Sequence, residues 1–283
     1  MILVTGATGT VGRLVTERLS GTGPVRLFTR DPRRVTSTGP DVEVAGGDFD
    51  DPGGLRAALV GVRSALLVTT NPLAPAQDRN FVTAARAARV GHVVKLSAQA
   101  VADTGADDLI TRWQRDNEEL LRASGLAWTF LRPRAFMSNT LGWARSVREE
   151  GVVRAPDGAS RNASVDPRDI ADVAVRVLAD PAAHAGRAYP LTGPAALSAV
   201  QQTDMLGELL GRPLEFVELT REETLSGLLA RYPEPLAHAL MESAARGRQG
   251  AKTGVDPTVP DLLGRPARGY RAWARDHLAA FRA

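Results

Sequence analysis

Short apolar runs alternate with amphipathic stretches over the first half of the chain, and each run has the length of a buried strand. The pattern predicts strands at Ile2–Thr5, Val25–Thr29, Val42–Ala45, Ser64–Thr69, Val93–Ser97 and Trp128–Leu131. The stretches between them place apolar residues on one helical face; after the first strand these are Val11, Leu14, Val15 and Leu19. Strands that alternate with helices predict an α/β fold with a doubly wound parallel sheet.

This regularity weakens after about residue 136. Asp166 and Pro167 have the chemistry of a helix cap and a first helical turn, and Ala188–Leu191 is a candidate late strand. Two further helices are predicted at Ser198–Leu210 and Glu222–Leu229. We therefore divide the chain into a sheet-building domain, 1–136, and a mixed region, 137–283. The second region is expected to complete the sheet and to form a small, mostly helical C-terminal lobe.

Composition narrows the possible functions of this 283-residue chain. It has no cysteine, which excludes disulfides and thiolate metal sites, and its four histidines lack the spacing of metal ligands. No apolar stretch approaches the ~20 residues of a membrane span, and no basic segment precedes the first apolar run. The net charge is only +3, and the arginines form no basic block. The sequence predicts a cytoplasmic protein without membrane, metal or nucleic-acid partners.

Three glycines follow the first predicted strand with the spacing GxxGxxG. The first allows a tight turn, the second lets a pyrophosphate approach the backbone, and the third lets the next helix pack closely on the strand. The N–H groups at the start of that helix attract phosphate. The motif predicts a dinucleotide site that includes Gly6, Thr8, Gly9, Thr10, Val11 and Gly12. The alternative is a purely structural glycine turn.

The residue after the second predicted strand indicates which dinucleotide binds. NAD-binding proteins have a carboxylate about 20 residues after the glycines, whereas Arg30 stands there in this chain, and Arg34 follows closely. A guanidinium suits a 2′-phosphate because it forms bidentate, charge-assisted hydrogen bonds. The adjacent Asp31 is expected to cap a short helix. The pattern favours NADPH, and the alternative is a solvated arginine cluster.

Two more loops are candidates for cofactor contacts. Asp48 and Phe49 follow the third predicted strand, where the carboxylate would bind the adenine amino group and the ring would cover the base. A loop cap and a core anchor are equally good interpretations of the same two residues. At the end of the fourth predicted strand, where a dinucleotide would cross the sheet edge, the candidates are Thr69, Thr70 and Asn71.

Together these stretches resemble one family. TGATGTVG, GDFDD, VVKLSA, LLRASGLAWTFLRPRAFMSN, VDPRDIADVA and LTGP are similar to the NmrA-like group of atypical short-chain dehydrogenases/reductases, from residue 1 to about 220. The resemblance implies a Rossmann domain with a C-terminal substrate lobe. It also implies either an NADPH-dependent quinone or ketone reductase, some of which act in antibiotic biosynthesis, or a redox sensor that binds the cofactor without turning it over.

The chain departs from ordinary short-chain reductases at their Tyr-x-x-x-Lys pair, in which the tyrosine donates a proton to the carbonyl. Alignment on LLRASGL places the pair at Ile110 and Gln114. No lysine follows any of the tyrosines at the required spacing; these are Tyr189, Tyr232 and Tyr270. Three explanations stay open: a substrate that needs little acid catalysis, other groups in place of the tyrosine, or a sensor without chemistry.

Ser97 and Gln114 are the candidate catalytic residues, because a hydroxyl or amide can stabilise an oxyanion without titrating. By the resemblance, Pro133 lies near the nicotinamide. Candidate substrate-binding residues are Gln99, Trp113, Arg134, Phe136, Met137 and Asn139. Simpler roles are possible: a helix cap for the serine, a surface position for Gln114, core packing for the tryptophan and an ion pair for the arginine. His238 is expected to be an ordinary helix residue.

The sequence thus predicts a reductase that transfers hydride from NADPH to a carbonyl or quinone without a Tyr-Lys pair. An aromatic polyketide ketone or quinone is the expected substrate class. The alternative is an NADP(H)-binding sensor that acts through a protein partner.

Overall fold

The computed structural model describes residues 1–36 and 39–282. Its strands are β1 (Ile2–Thr5), β2 (Val25–Thr29), β3 (Val42–Gly46), β4 (Ser64–Leu67), β5 (His92–Leu96), β6 (Ala127–Pro133), β7 (Val152–Ala155), β8 (Arg161–Asn162), β9 (Arg187–Leu191), β10 (Leu197–Ser198) and β11 (Glu215–Glu218). Seven of them form one sheet in the order β3-β2-β1-β4-β5-β6-β9. The strands from β3 to β6 in this order pair in parallel, so the predicted α/β Rossmann-like fold is confirmed.

The helices are α1 (Thr10–Leu19), α2 (Pro52–Leu59), α3 (Ala76–Ala87), α4 (Leu109–Arg122), α5 (Ala144–Glu150), α6 (Pro167–Ala179), α7 (Pro181–His184), α8 (Ala199–Leu210), α9 (Arg221–Leu229), α10 (Glu234–Arg248), α11 (Thr258–Leu263) and α12 (Tyr270–Asp276). Helix α1 packs against α6, and α2 against α3. No helix in the described part of the chain is both long enough and apolar enough to cross a membrane.

The strand order reverses between β1 and β4. Strand β1 pairs in parallel with β2 on one side and with β4 on the other, so that Ile2 lies opposite both Val25 and Ser64. In open parallel sheets, ligands bind at the carboxyl ends of the strands beside such a switch point. The glycine turn after β1 and the loop after β4 therefore lie where a dinucleotide is expected.

Sequence periodicity located most strands within two residues. The predicted fourth strand extends to Thr69, but β4 ends at Leu67. The side chain of Thr5 explains the difference: its Oγ1 donates to Leu66 C=O and accepts the N–H of Val68, so the backbone there bonds a side chain instead of a neighbouring strand.

The chain forms two compact units that interleave in sequence. The first contains 1–102, 111–132 and 167–190, and the second contains 103–110, 133–166 and 191–283. The sequence predicted a single boundary at residue 136. The structure differs from this prediction because α6, α7 and most of β9 belong to the first unit. Periodicity shows where an element lies along the chain but not which core its apolar face covers.

Each unit has its own apolar core. The first is built on β1, β4 and β5 with the helices beside them. In the second unit, Met137 is 2% exposed and packs with Val147, Tyr270, Trp273 and Phe281. Met137 thus contributes to this core, and contact of its side chain with a substrate stays a prediction. Two small sheets complete this unit, with β7 parallel to β11 and β8 antiparallel to β10.

Candidate functional site

The glycine turn has the geometry that its spacing predicted. Gly6 has φ +62°, a left-handed conformation that favours glycine, and its C=O accepts the N–H of Gly9 at 2.9 Å. A Cβ on Gly12 would lie 2.1 Å from the carbonyl oxygen of Gly6. The third glycine is therefore required for α1 to begin this close to β1.

The start of α1 presents backbone donors for an anion. Gly9 precedes the helix with no side-chain cap, and the first helical hydrogen bond runs from Arg13 N–H to Gly9 C=O at 3.1 Å. The N–H groups of the first three helical residues consequently have no partner within the helix. Gly9 and Thr10 are exposed. These donors and the helix dipole fit a pyrophosphate.

Arginines lie at the end of β2 as the sequence indicated. Arg30 and Arg34 are exposed, and neither forms an ion pair within the described residues. Arg33 is committed elsewhere: its Nε donates to Asp31 Oδ1 at 2.9 Å, and this hydrogen bond lowers the pKa of the carboxyl. Asp31 also accepts the N–H of Arg33 and so caps a short 3-10 helix, Pro32–Arg34, as expected.

In the loop after β3, Asp48 caps the loop and Phe49 anchors it to the core, which was the alternative to contact with an adenine. Asp48 Oδ1 accepts the N–H of Asp50 at 2.9 Å and thereby caps the loop. The ring of Phe49 packs edge-on against Phe28, with centroids 5.7 Å apart, and tilts against Phe81. Contact of either residue with an adenine stays a prediction.

A buried ion pair lies behind the end of β4, which sequence reasoning missed. Lys95 on β5 is 0% exposed, and its Nζ donates to Asp78 Oδ1 at 2.7 Å and to Thr69 Oγ1 at 3.1 Å. The ammonium also lies 5.4 Å from the centroid of the Trp113 ring. A lysine inside an apolar strand was the available signal, since such a charge requires a carboxylate partner. The pair fixes Thr69, whereas Thr70 and Asn71 beyond it are exposed.

Ser97 lies just after β5, and its hydroxyl proton is already used. The hydroxyl donates to Glu118 Oε1 at 2.7 Å, and Glu118, itself 0% exposed, also accepts hydrogen bonds from Arg122 and Arg132. In this arrangement Ser97 has no proton to give a carbonyl oxygen. Its role here is to satisfy a buried carboxylate, and it caps no helix.

Several buried polar atoms in the first unit have no hydrogen-bond partner among the described residues. Four of them lie after β5 or on α4: Gln99 Oε1, Trp113 Nε1, Gln114 Oε1 and Asn117 Nδ2. The others are Ser64 Oγ, Asp78 Oδ2 and His92 Nδ1. Gln114 is 6% exposed, so the surface alternative is wrong; Trp113 is 7% exposed. Gln114 and Asn117 share a helical face, being three residues apart. Orphaned buried groups of this kind are the pattern expected where a bound ligand completes the hydrogen bonding.

The remaining candidates belong to the second unit. Pro133 is buried at the end of β6, Phe136 is half-buried, and Asn139 is exposed. Arg134 donates its backbone N–H to Leu191 C=O at 2.9 Å, while its buried Nε has no partner in the described chain. Burial lowers the pKa of this guanidinium.

An open cavity of about 650 Å³ lies within the second unit. Its walls are mainly apolar and rigid, with four prolines, and they are formed by Gly193, Pro194, Val255, Asp256, Pro257, Pro260, Gly264, Arg265, Pro266 and Ala267. This volume is in the range of small-molecule sites. No local sequence pattern indicates this cavity, because it forms where residues 193–194 meet residues 255–267.

The histidines are scattered, and three of them have defined hydrogen-bond partners. Within the described chain, no group of three or more histidine or acidic side chains is placed to hold a metal ion. Thr129 donates its hydroxyl proton to His184 C=O, so His92 Nε2 must donate to Thr129 Oγ1 at 2.8 Å. Burial lowers the pKa of His92 to about 4. His238 is exposed on α10, 3.7 Å from Glu234, as an ordinary helix residue.

Residues 6–181 match the family described as NAD(P)H-binding, which covers more than half of the chain and includes the glycine turn, Arg30 and α4. The chain belongs to the NAD(P)H-binding family. This match confirms that the family inferred from the motifs is an NAD(P)H-binding one. The solved structure of NmrA with NAD, 16% identical and with a TM-score of 0.79, shares the fold.

Relatives match the chain over nearly its full length. A (4-alkanoyl-5-oxo-2,5-dihydrofuran-3-yl)methyl phosphate reductase from Streptomyces griseus is 52% identical over 281 residues, 99% of each chain. An NAD(P)H azoreductase from Xenophilus azovorans is 39% identical, again over 99% of each chain. Among solved structures, the NADPH-dependent quinone oxidoreductase of Escherichia coli in complex with NADPH is 29% identical, with a TM-score of 0.85 and coverage of 99% of this chain and 100% of that one.

Proposed function

We propose that this chain is an NADPH-dependent reductase of a small acceptor that is activated by conjugated carbonyl groups. The observation that carries the proposal is the 52% identity, over 99% of both chains, with a reductase. An azoreductase and a quinone oxidoreductase among the relatives support the general class. All three names describe reduction of an electron-poor, conjugated system.

The cofactor is assigned from the first unit. The backbone donors at the start of α1 would bind the pyrophosphate, and the close approach of a phosphate is possible because Gly9 has no side chain. Arg30 and Arg34 would bind a 2′-phosphate; they support NADPH over NADH because the one nearby carboxylate, Asp31, is held by Arg33. The complex of the quinone oxidoreductase with NADPH supports the same choice.

Gln114 is proposed to replace the lysine of ordinary short-chain reductases. It occupies that position in the alignment, and its buried Oε1 lacks a donor. A ribose hydroxyl would supply one. The chain would thus hold the sugar through a neutral amide and without the electrostatic activation that a lysine provides.

NADPH supplies a hydride, and the substrate's own chemistry explains why no tyrosine is needed. The name of the Streptomyces griseus substrate describes a ring double bond conjugated with both a lactone carbonyl and an alkanoyl carbonyl. Hydride addition at the ring carbon that carries the phosphomethyl group places the electron pair on the neighbouring carbon, between the two carbonyls. The charge spreads over both oxygens, and a proton from water then completes the saturated C–C bond.

We propose a substrate of this acyl-lactone class for the present chain. The apolar cavity of the second unit would hold the alkanoyl chain, since its proline-rich wall offers no charge to a hydrocarbon except near Asp256 and Arg265. Aromatic polyketide ketones and quinones are the second class to test. They share the conjugation but have no alkyl chain to occupy the cavity.

The test is NADPH oxidation, followed by absorbance, with 4-alkanoyl-butenolide phosphates, small quinones and polycyclic aromatic ketones, and with NADH in parallel. The proposal predicts turnover with NADPH, fastest for the butenolide, and a product reduced at the C–C double bond. Tight NADPH binding without turnover of any acceptor would instead support the sensor. Reduction of the ketone to an alcohol would refute the conjugate-addition chemistry.

A further inference from the structure

Three cationic side chains converge in the second unit. Lys252 C=O accepts the N–H of Ala163 at 3.0 Å, and Ala163 C=O accepts the N–H of Gly193 at 3.1 Å. Two residues before Gly193, Leu191 C=O accepts the backbone N–H of Arg134. These hydrogen bonds bring the segments of Arg134 and Lys252 together, although 118 positions separate them in sequence.

Helix α10 supplies the third cation. Lys252 Nζ donates to Ser243 Oγ at 3.0 Å, and Arg246 lies one helical turn after that serine. Burial, then the charge of Arg246 and then that of Arg134, lower the pKa of Lys252 to about 8. The two arginines are therefore near enough to repel the ammonium.

Three carboxylates face this cluster. Asp108 accepts a hydrogen bond from Arg246 at 2.6 Å, and Asp103 lies 3.9 Å from the same guanidinium. Asp157, which also faces the ammonium, is bound by Arg248 on α10. Asp103 and Asp108 thus lie against Arg246. The charge of Asp103 also acts on Arg134, and the charges of Asp108 and Asp157 act on Lys252.

Arg134 contributes both a positive charge and a hydrogen-bond donor that has no partner in the described chain. Its Nε is buried and has no partner among the described residues. A buried donor on a charged group is costly to leave unsatisfied, and such groups in proteins normally bond to a ligand or a water molecule. An acceptor with negative charge would meet both requirements at this position.

We propose that Arg134 and Lys252, supported by Arg246, form a binding site for a phosphate monoester. A guanidinium offers a planar pair of donors and an ammonium offers a point charge, a combination suited to a tetrahedral dianion. The inference rests on the proposed function, because the phosphate in question is that of the substrate. It assigns phosphate recognition to the second unit, separate from the phosphate groups of NADPH.

The experiment compares a 4-alkanoyl-butenolide phosphate with the corresponding alcohol, which has the same ring and chain but no phosphate. The phosphate should have a kcat/KM at least tenfold higher in the unmodified protein. Lys252→Gln and Arg134→Gln should each remove most of this preference through KM, by roughly 10- to 100-fold for the phosphate, the range of a charge-assisted hydrogen bond. Neither should change KM for the alcohol.

The matched control is Arg248→Gln on the same helix, which removes a cation bound to Asp157 and half-exposed. It should retain the full preference for the phosphate. A second measurement avoids dependence on turnover: inorganic phosphate is titrated by calorimetry into protein saturated with NADP⁺, so that the cofactor site is filled. Lys252→Gln, Arg134→Gln and Arg134→Lys should each lose the binding of inorganic phosphate. Lysine in place of Arg134 is not sufficient because it lacks the planar pair of donors of a guanidinium.

The outcomes separate this inference from the proposed function. Equal kcat/KM for phosphate and alcohol, together with active quinone reduction, would overturn the phosphate site and leave the reductase intact. Absence of NADPH oxidation with every acceptor would overturn the reductase, and the phosphate titration would then decide the site alone. Binding of inorganic phosphate that Lys252→Gln leaves unchanged would also refute the site.

Discussion

Substitution by alanine should have different effects at Gly9 and Gly12: a loss of NADPH affinity at Gly9 and a loss of stability at Gly12. Gly12 is buried, and an added Cβ would lie 2.1 Å from the oxygen and 2.6 Å from the carbon of the Gly6 carbonyl. Contacts of a real Cβ are longer by more than 1 Å, and both obstacles are backbone atoms. In Gly12→Ala the start of α1 must therefore move away from the turn.

The loss of stability in Gly12→Ala can be estimated from the packing of α1. The helix lies against α6, so a shift of its first turn disturbs a close-packed interface. Overpacking of this kind costs ~1–3 kcal/mol, while alanine in a helix returns up to about 1 kcal/mol relative to glycine. We expect a net loss of about 1–2 kcal/mol in the free energy of unfolding, which corresponds to a fall in Tm of roughly 2–8 °C for a protein of this size.

Gly9→Ala is the matched comparison. Gly9 is exposed, has φ −88° and ψ 177°, and a Cβ there would have only the Gly6 oxygen near it, at 3.2 Å. Alanine adopts this backbone without strain, so Tm should change by less than about 2 °C. The methyl would occupy the approach of the pyrophosphate, and NADPH affinity should fall at least tenfold.

Thermal melts by circular dichroism and NADPH titrations by fluorescence would measure both variants. Gly142→Ala is a control, since nothing lies within 4 Å of a Cβ there. A Gly12→Ala protein with unchanged Tm, or a Gly9→Ala protein that binds NADPH normally, would refute this division between packing and phosphate approach.

Three further predictions concern single side chains. Arg30→Ala should weaken NADPH binding by tenfold or more and leave NADH unchanged in the same titration; an equal loss for both would refute the 2′-phosphate assignment. Lys95→Met should lower the free energy of unfolding, measured with urea, by about 3–5 kcal/mol because it leaves Asp78 buried and charged. The double variant that also carries Asp78→Asn should recover much of this free energy. The pKa of His92 is 6.5 in the unfolded chain and about 4 in the folded protein. Because the unfolded state binds the proton more readily, the free energy of unfolding should fall as the pH drops from 6.5 towards 4, by about 2 kcal/mol at pH 5. His92→Gln should remove that part of the pH dependence, and a parallel pH profile for variant and native protein would contradict it.

Much of the fold and of the cofactor site could be predicted from local sequence. β1 and β2 were predicted with their observed ends, and GxxGxxG gave the turn whose third glycine has no room for a Cβ. Arg30 was found because its position after a strand defines its place in a parallel sheet. Such features depend on residues close together in sequence, where periodicity and steric limits act directly.

The catalytic predictions were less secure because they depended on partners distant in sequence. Ser97 was interpreted as a donor to substrate, but Glu118, 21 positions away, receives its proton. Met137 packs against the C-terminal helices, a contact that the sequence did not indicate, and its contact with a substrate stays a prediction. Neither outcome has a local signature, since a hydroxyl or thioether is compatible with several environments.

The sequence by itself determined the alternation of strands and helices over the first half of the chain, the glycine turn, the arginine after β2 and the absence of a Tyr-x-x-x-Lys pair. Only the tertiary structure decided that Lys95 pairs with Asp78, that the second unit contains an apolar cavity, and that the segments of Arg134 and Lys252 come together. The physical reason is the range of the interactions. Backbone geometry and amphipathicity act within a few residues, whereas burial and charge balance depend on every segment that the fold brings together.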